Sequence, residues 1–160
     1  MKRLLPLLVI LALPALAATP TLTQVQQVGP IRLGLAETKL AGLLGKPASE
    51  TKPHLEAATG MTVKVRSYNK QGLKMTLAQD GPKNPWTVAR FTAQPPCKWK
   101  TPQGIGIGST AEEVRTTYGP LLDKEMTSAE QIVVGTVYDG VIFSIKQGKV
   151  SSIFVGAAAE

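Results

Sequence analysis

The chain has 160 residues, a formal net charge of +7, a single Cys and a single His. One cysteine excludes an intrachain disulfide, and one His with one Cys is too few for a usual zinc site. The length accommodates one domain or two small ones.

The first 17 residues read as an export signal. Met1-Lys2-Arg3 is a short basic region, Leu4 to Leu13 is apolar but for Pro6, and Ala15-Leu16-Ala17 is a small-x-small cleavage site. The apolar run is shorter than the roughly 20 residues of a spanning helix, so cleavage after Ala17 is expected rather than a transmembrane anchor. No cysteine follows the run, so no lipid-modified terminus is expected. The expected location is periplasmic or secreted. The segment 18–29 is rich in Thr and Gln and is expected to be loose. After removal of residues 1–17 the chain holds 16 basic and 11 acidic residues.

Residues 30–94 read as one α+β unit. Ile31-Arg32-Leu33-Gly34 suggests a short strand and tight turn. A helix with Leu40, Leu43 and Leu44 on its buried stripe then stops at Gly45, with Pro47 beyond. Its N-cap is weak, because Leu35 and Ala36 stand where a capping residue belongs. His54 to Thr59 is expected to add a short second helix. Met61, Val63 and Val65 alternate with Thr62, Lys64 and Arg66, the period of a half-buried strand. Leu73, Met75 and Leu77 form a second strand. Val88, Phe91 and Ala93 form a third, after a loop from Ala78 to Trp86. The steps of three and then two in that last strand suggest a bulge.

Residues 95–103 form a Pro-rich joint, expected to be stiff. Residues 104–157 then repeat the pattern. Ile105-Gly106-Ile107-Gly108 matches Ile31 to Gly34 at an offset of 74, and Leu40, Leu44 and Gly45 meet Val114, Tyr118 and Gly119. Ser109-Thr110-Ala111-Glu112 offers a capping box, with Glu113 adding a charge at the positive end of the helix dipole. Gly119 is expected in a left-handed stop, and Pro120 blocks continuation. Glu125 to Gln131 is the counterpart of the uncertain second helix. Asp139-Gly140 suggests a two-residue hairpin turn. Val141, Phe143 and Ile145 follow it, then Val150, Ile153 and Val155, with the same steps of three and two. The expected fold class is thus α+β, in two tandem repeats. Each repeat packs a helix, plus a short second one, on a three-stranded antiparallel sheet, the two sheets continuous or side by side.

The apolar-x-apolar-Gly, helix and Gly stop resemble the tandem-repeat β-lactamase inhibitory proteins. They are similar also to the single-unit fold of small outer-membrane assembly lipoproteins. The carriers are Ile31, Leu33, Gly34, Leu40, Gly45, Pro47, Ile105, Ile107, Gly108, Val114 and Gly119. These are scaffold positions, so the resemblance implies a fold, not a partner. The inhibitory proteins carry a disulfide in each unit and an aromatic-rich binding face. This chain has no second cysteine and only eight Phe, Trp and Tyr residues. The acylated cysteine of the lipoproteins is absent as well, and inhibition of β-lactamase does not transfer.

Catalytic parts are sparse. Cys97 and His54 are the minimal pieces of a thiol nucleophile and base, but His54 sits in a loop-like Lys-Pro-His stretch and Cys97 in the joint. A free or intermolecularly paired thiol is the expectation for Cys97. Gly104 to Gly108 lacks the spacing of a dinucleotide fingerprint and reads as a turn. No convergent titratable set is apparent, so the chain is read as a non-enzyme with no cofactor and no metal. Cys97-Lys98-Trp99-Lys100 places an aromatic between two cations. In an exported chain this suits packing across the joint or contact with a partner better than nucleic-acid binding.

The functional expectation rests on the sheet. If Leu73, Met75, Leu77, Val88, Phe91 and Ala93 face the helices, Lys74, Thr76, Arg90 and Thr92 face away. In the second half Ile142, Ser144, Lys146, Ser152 and Phe154 face away. Ile142 and Phe154 then form an apolar patch on the wet face, or the two sheets fold over one another and bury them. The expected function is an exported protein-binding module, inhibitor-like in manner. Its candidate contacts are Ile142 and Phe154, with rim charges Lys74, Arg90 and Lys146, and Trp99. The alternative is an envelope maintenance protein that binds anionic wall polymer or lipid groups. Its basis is charge: Pro30 to Lys100 holds 12 Lys and Arg against 4 Asp and Glu, and Thr101 to Glu160 holds 4 against 7.

Overall fold

Local sequence sets the elements, and residues 21–158 are described by the computed structural model, without the side chains of Thr23 and Gln24. The expected export signal at 1–17 lies outside the described residues. The chain runs α1 (Leu22–Val25), β1 (Gln27–Val28), β2 (Ile31–Arg32), α2 (Glu37–Leu44), β3 (Ser49–Glu50) and β4 (His54–Leu55). It continues through β5 (Thr62–Tyr68), β6 (Leu73–Gln79), β7 (Thr87–Ala93), α3 (Ala111–Tyr118), β8 (Gln131–Gly135), β9 (Gly140–Lys146) and β10 (Lys149–Gly156). The class is α+β, with more sheet than helix.

β1 and β2 form a small hairpin, and all other strands join one eight-stranded sheet, ordered β3-β5-β6-β7-β10-β9-β8, with β4 also paired to β5. The meander β5–β7 and the meander β8–β10 meet edge to edge, with Ala93, Thr92 and Phe91 paired to Ile153, Phe154 and Val155. The sheet is therefore continuous, and its halves do not fold over one another.

The two longer helices, α2 and α3, pack on one face. Leu40 and Leu44 of α2, and Val114 and Tyr118 of α3, share one core with Met75, Leu77, Phe91, Phe143, Ile153 and Val155. The Tyr118 and Phe143 rings stack at 5.6 Å between centroids. Each such large side chain contributes about 1.5–3 kcal/mol when fully buried.

Several expectations are corrected. Described residues of the segment expected to be loose are built in: Val25 and Val28 are fully buried. Two apolar residues at that spacing suffice to draw a short helix and strand onto the core. The expected second helices are absent. His54–Leu55 pairs instead with Val63 and Thr62 of β5. Residues 124–130 turn because Asp123 Oδ1 accepts from the N–H groups of Glu125 and Met126, and Ser128 Oγ from those of Glu130 and Gln131. Side chains that bond the nearby backbone in this way compete with helix formation.

The capping box of α3 sits one residue later than expected. Thr110 Oγ1 accepts from the Glu113 N–H at 3.1 Å, and Glu113 Oε2 accepts from the Thr110 N–H at 2.6 Å. Ser109 is occupied elsewhere, its Oγ accepting from the Gly106 N–H at 3.2 Å. Gly119 is right-handed at φ −40°, and the chain continues into a 3₁₀ turn, Gly119–Leu121, in which Pro120 supplies a suitable φ. The cap of α2 is weak as expected: Ala36 makes no side-chain cap bond.

Asp139-Gly140 is not a two-residue turn. Gly135 pairs with Gly140 across residues 136–139, where Thr136 Oγ1 accepts from the N–H groups of Tyr138 and Asp139. The two-residue turn is Gln147-Gly148, with φ of 52° and 73°, between paired Lys146 and Lys149. Two positive φ values match the twist of a tight hairpin.

The bulges fall where the spacing placed them. On β7 Ala89 is the extra residue between Val88, opposite Leu77, and Arg90, opposite Thr76. On β10 Ser151 is the extra residue between Val150, opposite Ile145, and Ser152, opposite Ser144.

Candidate functional site

The bulges decide what the helix-free face displays. In an unbroken strand Val88 and Phe91 point to opposite faces. The extra residue Ala89 lets both turn to the core, and Arg90 and Thr92 turn away. Ser151 does the same on β10, so Val150 and Ile153 are buried and Ser152 and Phe154 face outward.

Register then aligns the outward residues into a rung across the sheet. Ser67 pairs with Lys74, Lys74 with Thr92, Thr92 with Phe154, Phe154 with Ile142, and Ile142 with Val133. Phe154 and Ile142 are direct neighbours, both half-buried on a face that carries no helix among the described residues. Val133 at the end of the rung is fully buried yet lies outside the main core. The open edge of β8 is closed by the preceding segment. Leu122 bridges to Val134, Asp123 N–H donates to Val133 O at 3.0 Å, and Thr127 Oγ1 accepts from the Val133 N–H at 3.1 Å. Closure of this kind blocks edge-to-edge pairing, which leaves the face rather than the edge for contact.

The rim charges differ in their state. Lys74 is exposed two strand spacings from Phe154, roughly 10 Å at about 4.8 Å per spacing. Lys146 is exposed four residues along β9 from Ile142, or about 13 Å. Arg90 is engaged by Glu56, from the turn after β4, and its guanidinium holds that carboxyl below the usual carboxylate range. Trp99 does not join this group. It packs against the core on the helix side, over Gly29, where an added Cβ would lie 2.7 Å from the indole.

One cluster was not foreseen. Lys64 and Arg66 pair with Leu77 and Met75, so they point toward the helices, while Val63 and Val65 face away. Lys64 Nζ lies 2.7 Å from Glu37 Oε1 and 4.6 Å from the Trp86 ring, and Arg66 engages both Glu37 and Glu50. Glu37 is in the first turn of α2, so the cluster pins that helix start to β5. The available signal was a pair of cations two apart on a strand, with an acid at a helix start.

The parts considered for catalysis stay apart. Cys97 is 6% exposed, and burial pushes its thiol up, which also disfavours the expected intermolecular pairing. His54 is exposed on β4, at the far side of the sheet from the joint. Two carboxylates, Glu112 and Glu113, line the 350 Å³ depression beside Gly104, so the glycine turn there is no anion site. Among the described residues no three His, Cys, Asp or Glu side chains gather as a metal site, and no helix is long and apolar enough to cross a membrane.

Comparison with known proteins finds no matching family model, no matching characterised relative and no matching solved structure.

Proposed function

We propose that the chain is an exported, non-enzymatic protein-binding module and that the helix-free face of its sheet is the docking surface. The observation that carries this reading is the Phe154–Ile142 pair, two large apolar side chains in register on the face opposite α2 and α3. An aromatic anchor beside an aliphatic one, with charges at the rim, is the usual composition of an interface centre. The complementary partner presents an apolar patch with acidic groups placed to meet Lys74 and Lys146.

The tandem-repeat architecture, and with it the likeness to the two-unit inhibitory proteins, belongs to the same proposal. Its support is the bulge pair: Ala89 and Ser151 are 62 residues apart, the offset that relates Val88 to Val150 and Phe91 to Ile153. The strand order, in which the third strands of the two meanders pair, is what two like units related by an approximate twofold axis produce.

The test is capture. Immobilised wild-type chain retains its partner from the extracellular or envelope fraction, and Phe154→Asp loses it without loss of fold. Retention by Phe154→Asp refutes the docking surface.

Charge supports a second reading. Of the 12 cations between Pro30 and Lys100, Lys64, Arg66 and Arg90 are in ion pairs among the described residues, which leaves nine without one. On this reading the first half binds anionic wall polymer or lipid groups. Such binding disappears at moderate ionic strength, whereas docking on Phe154 persists.

A further inference from the structure

A separate site lies where α2 ends. A 560 Å³ cleft opens between Leu44–Lys46 and the 3₁₀ turn Asn69–Gln71. A 370 Å³ depression lined by Pro47 and Arg66 lies beside it, and Gly45, Lys46 and Tyr68 line both. No carboxylate lines either one. Lys46 and Lys70 are exposed and carry no ion pair among the described residues.

Of the three residues common to both, Tyr68 is the buried one, 2% exposed. Its hydroxyl is buried without a hydrogen-bond partner, the one such side-chain atom among the described residues. A buried donor without a partner is costly, and a site that keeps one points to a ligand that completes it. Oxygen anions are the strongest acceptors for a hydroxyl donor, and two lysines set the charge of the site. Leu44 O, at the negative end of α2, already accepts from Gln71 Nε2 at 3.2 Å, and the two lysines oppose the rest of that dipole. Leu44 and Ala48 supply apolar wall, and the exposed Asn69 supplies an amide suited to a peptide group.

We infer that this cleft binds the carboxylate end of an acylated amino acid or peptide. The carboxylate lies between Lys46 and Lys70 and accepts from the Tyr68 hydroxyl, and the last side chain rests on Leu44 and Ala48. The hydroxyl has no solvent exposure, so contact with it requires local movement of the cleft lining. The inference does not depend on the sheet-face reading, and Phe154→Asp is expected to bind this ligand as wild type does.

The experiment is an amide chemical-shift titration of the whole chain with N-acetyl-leucine, N-acetyl-leucinamide and acetate. N-acetyl-leucine is expected to shift residues 44–48 and 68–71 saturably. The amide, which lacks the charge, should bind about tenfold more weakly or worse. Tyr68→Phe should weaken binding by about fivefold while its Tm holds or rises, because only an unpartnered hydroxyl is removed. The exposed double variant Lys46→Ala, Lys70→Ala should abolish binding. A tripeptide acid ending in Leu that binds more tightly than N-acetyl-leucine identifies a chain end as the source; equal affinity identifies the free acyl amino acid. Four outcomes overturn the inference: no saturable shift at those residues, equal binding of the amide, wild-type affinity in Tyr68→Phe, or acetate binding as tightly as N-acetyl-leucine, which means an adventitious ion only.

Discussion

Phe154 of β10 and Ile142 of β9 are direct antiparallel partners on the helix-free face, one position along from the buried pair Ile153 and Phe143. Neighbouring rungs of the same two strands thus serve opposite purposes. The buried rung holds the fold together, and the outward rung presents apolar surface to solvent.

That contrast yields the first prediction. Phe143→Ala removes a fully buried ring stacked on Tyr118 and should cost about 3–5 kcal/mol in urea unfolding. Phe154→Asp should cost much less, under about 1.5 kcal/mol, because its ring is only half-buried, yet it alone should abolish capture of a protein partner. Similar losses of stability in the two variants would place Phe154 in the core and remove it from consideration as an anchor.

The bulge supplies the second prediction. Deletion of Ser151 leaves Val150, Ser152, Ile153, Phe154 and Val155 in strict alternation, so Val150, Ile153 and Val155 stay inward and Ser152 and Phe154 stay outward. Only the local twist of the bulge and the Ser151 bond are lost, so the cost should be about 1–3 kcal/mol, and Phe154 should remain on the outward face. Ser151→Ala keeps the bulge and gives up one 3.2 Å bond to Ser144 O, at a cost of about 1 kcal/mol. Circular dichroism melts of the two variants separate the effects of spacing and side chain.

How far the sequence was legible follows from the same residues. Val88 and Phe91, three apart, already implied a bulge, and the core stripes of α2 and α3 were readable from Leu40, Leu44, Val114 and Tyr118. The faces of β5 were not. Period two divides a strand into two sets without saying which set meets the helices. Cations ordinarily go to water, but Glu37 of α2 reverses that for Lys64 and Arg66. The docking pair was readable as outward-facing, whereas its adjacency depended on register. The Tyr68 cleft left no local signal, since it joins the end of a helix to a turn 24 residues later.

A third prediction concerns acid. The Thr110 backbone N–H and hydroxyl bond the Glu113 carboxylate and lower its pKa from the ordinary 4.5. A carboxyl lowered in the folded state adds stability that is whole above its unfolded value and is lost as pH falls through the folded one. The stability difference between wild type and Glu113→Gln should therefore be constant near neutrality and vanish well below pH 4.5. Thr110→Ala should cost about 1 kcal/mol at neutral pH as a lost N-cap. A Glu113→Gln difference that persists in strong acid would rule out the capping carboxylate as its origin.

The thiol gives a fourth. Cys97 is buried in the joint, and burial pushes its ionisation up. It should react with an aromatic disulfide reagent only as fast as the chain opens, and no disulfide-linked dimer should accumulate in air. Rapid stoichiometric labelling at neutral pH in the absence of denaturant would contradict this burial.

The last prediction tests what holds α2 in place. Glu37 faces two cations whose side chains are only 10% and 15% exposed. Glu37→Gln leaves Lys64 with Glu50 at 3.8 Å as its remaining carboxylate, and leaves Arg66 with the same one. Two poorly solvated cations then share a single acid, and the cost should be about 1–3 kcal/mol. Because the cluster is partly screened from solvent, the cost should change little between low and high salt, unlike that of a surface pair. Restoring balance is the stringent control. Lys64→Met in the Glu37→Gln background removes the surplus charge and keeps an apolar stem against Trp86, so it should regain stability rather than lose more. If the double variant is less stable than Glu37→Gln alone, packing of Lys64 on Trp86 outweighs its ion pair, and charge is not what fixes the start of α2.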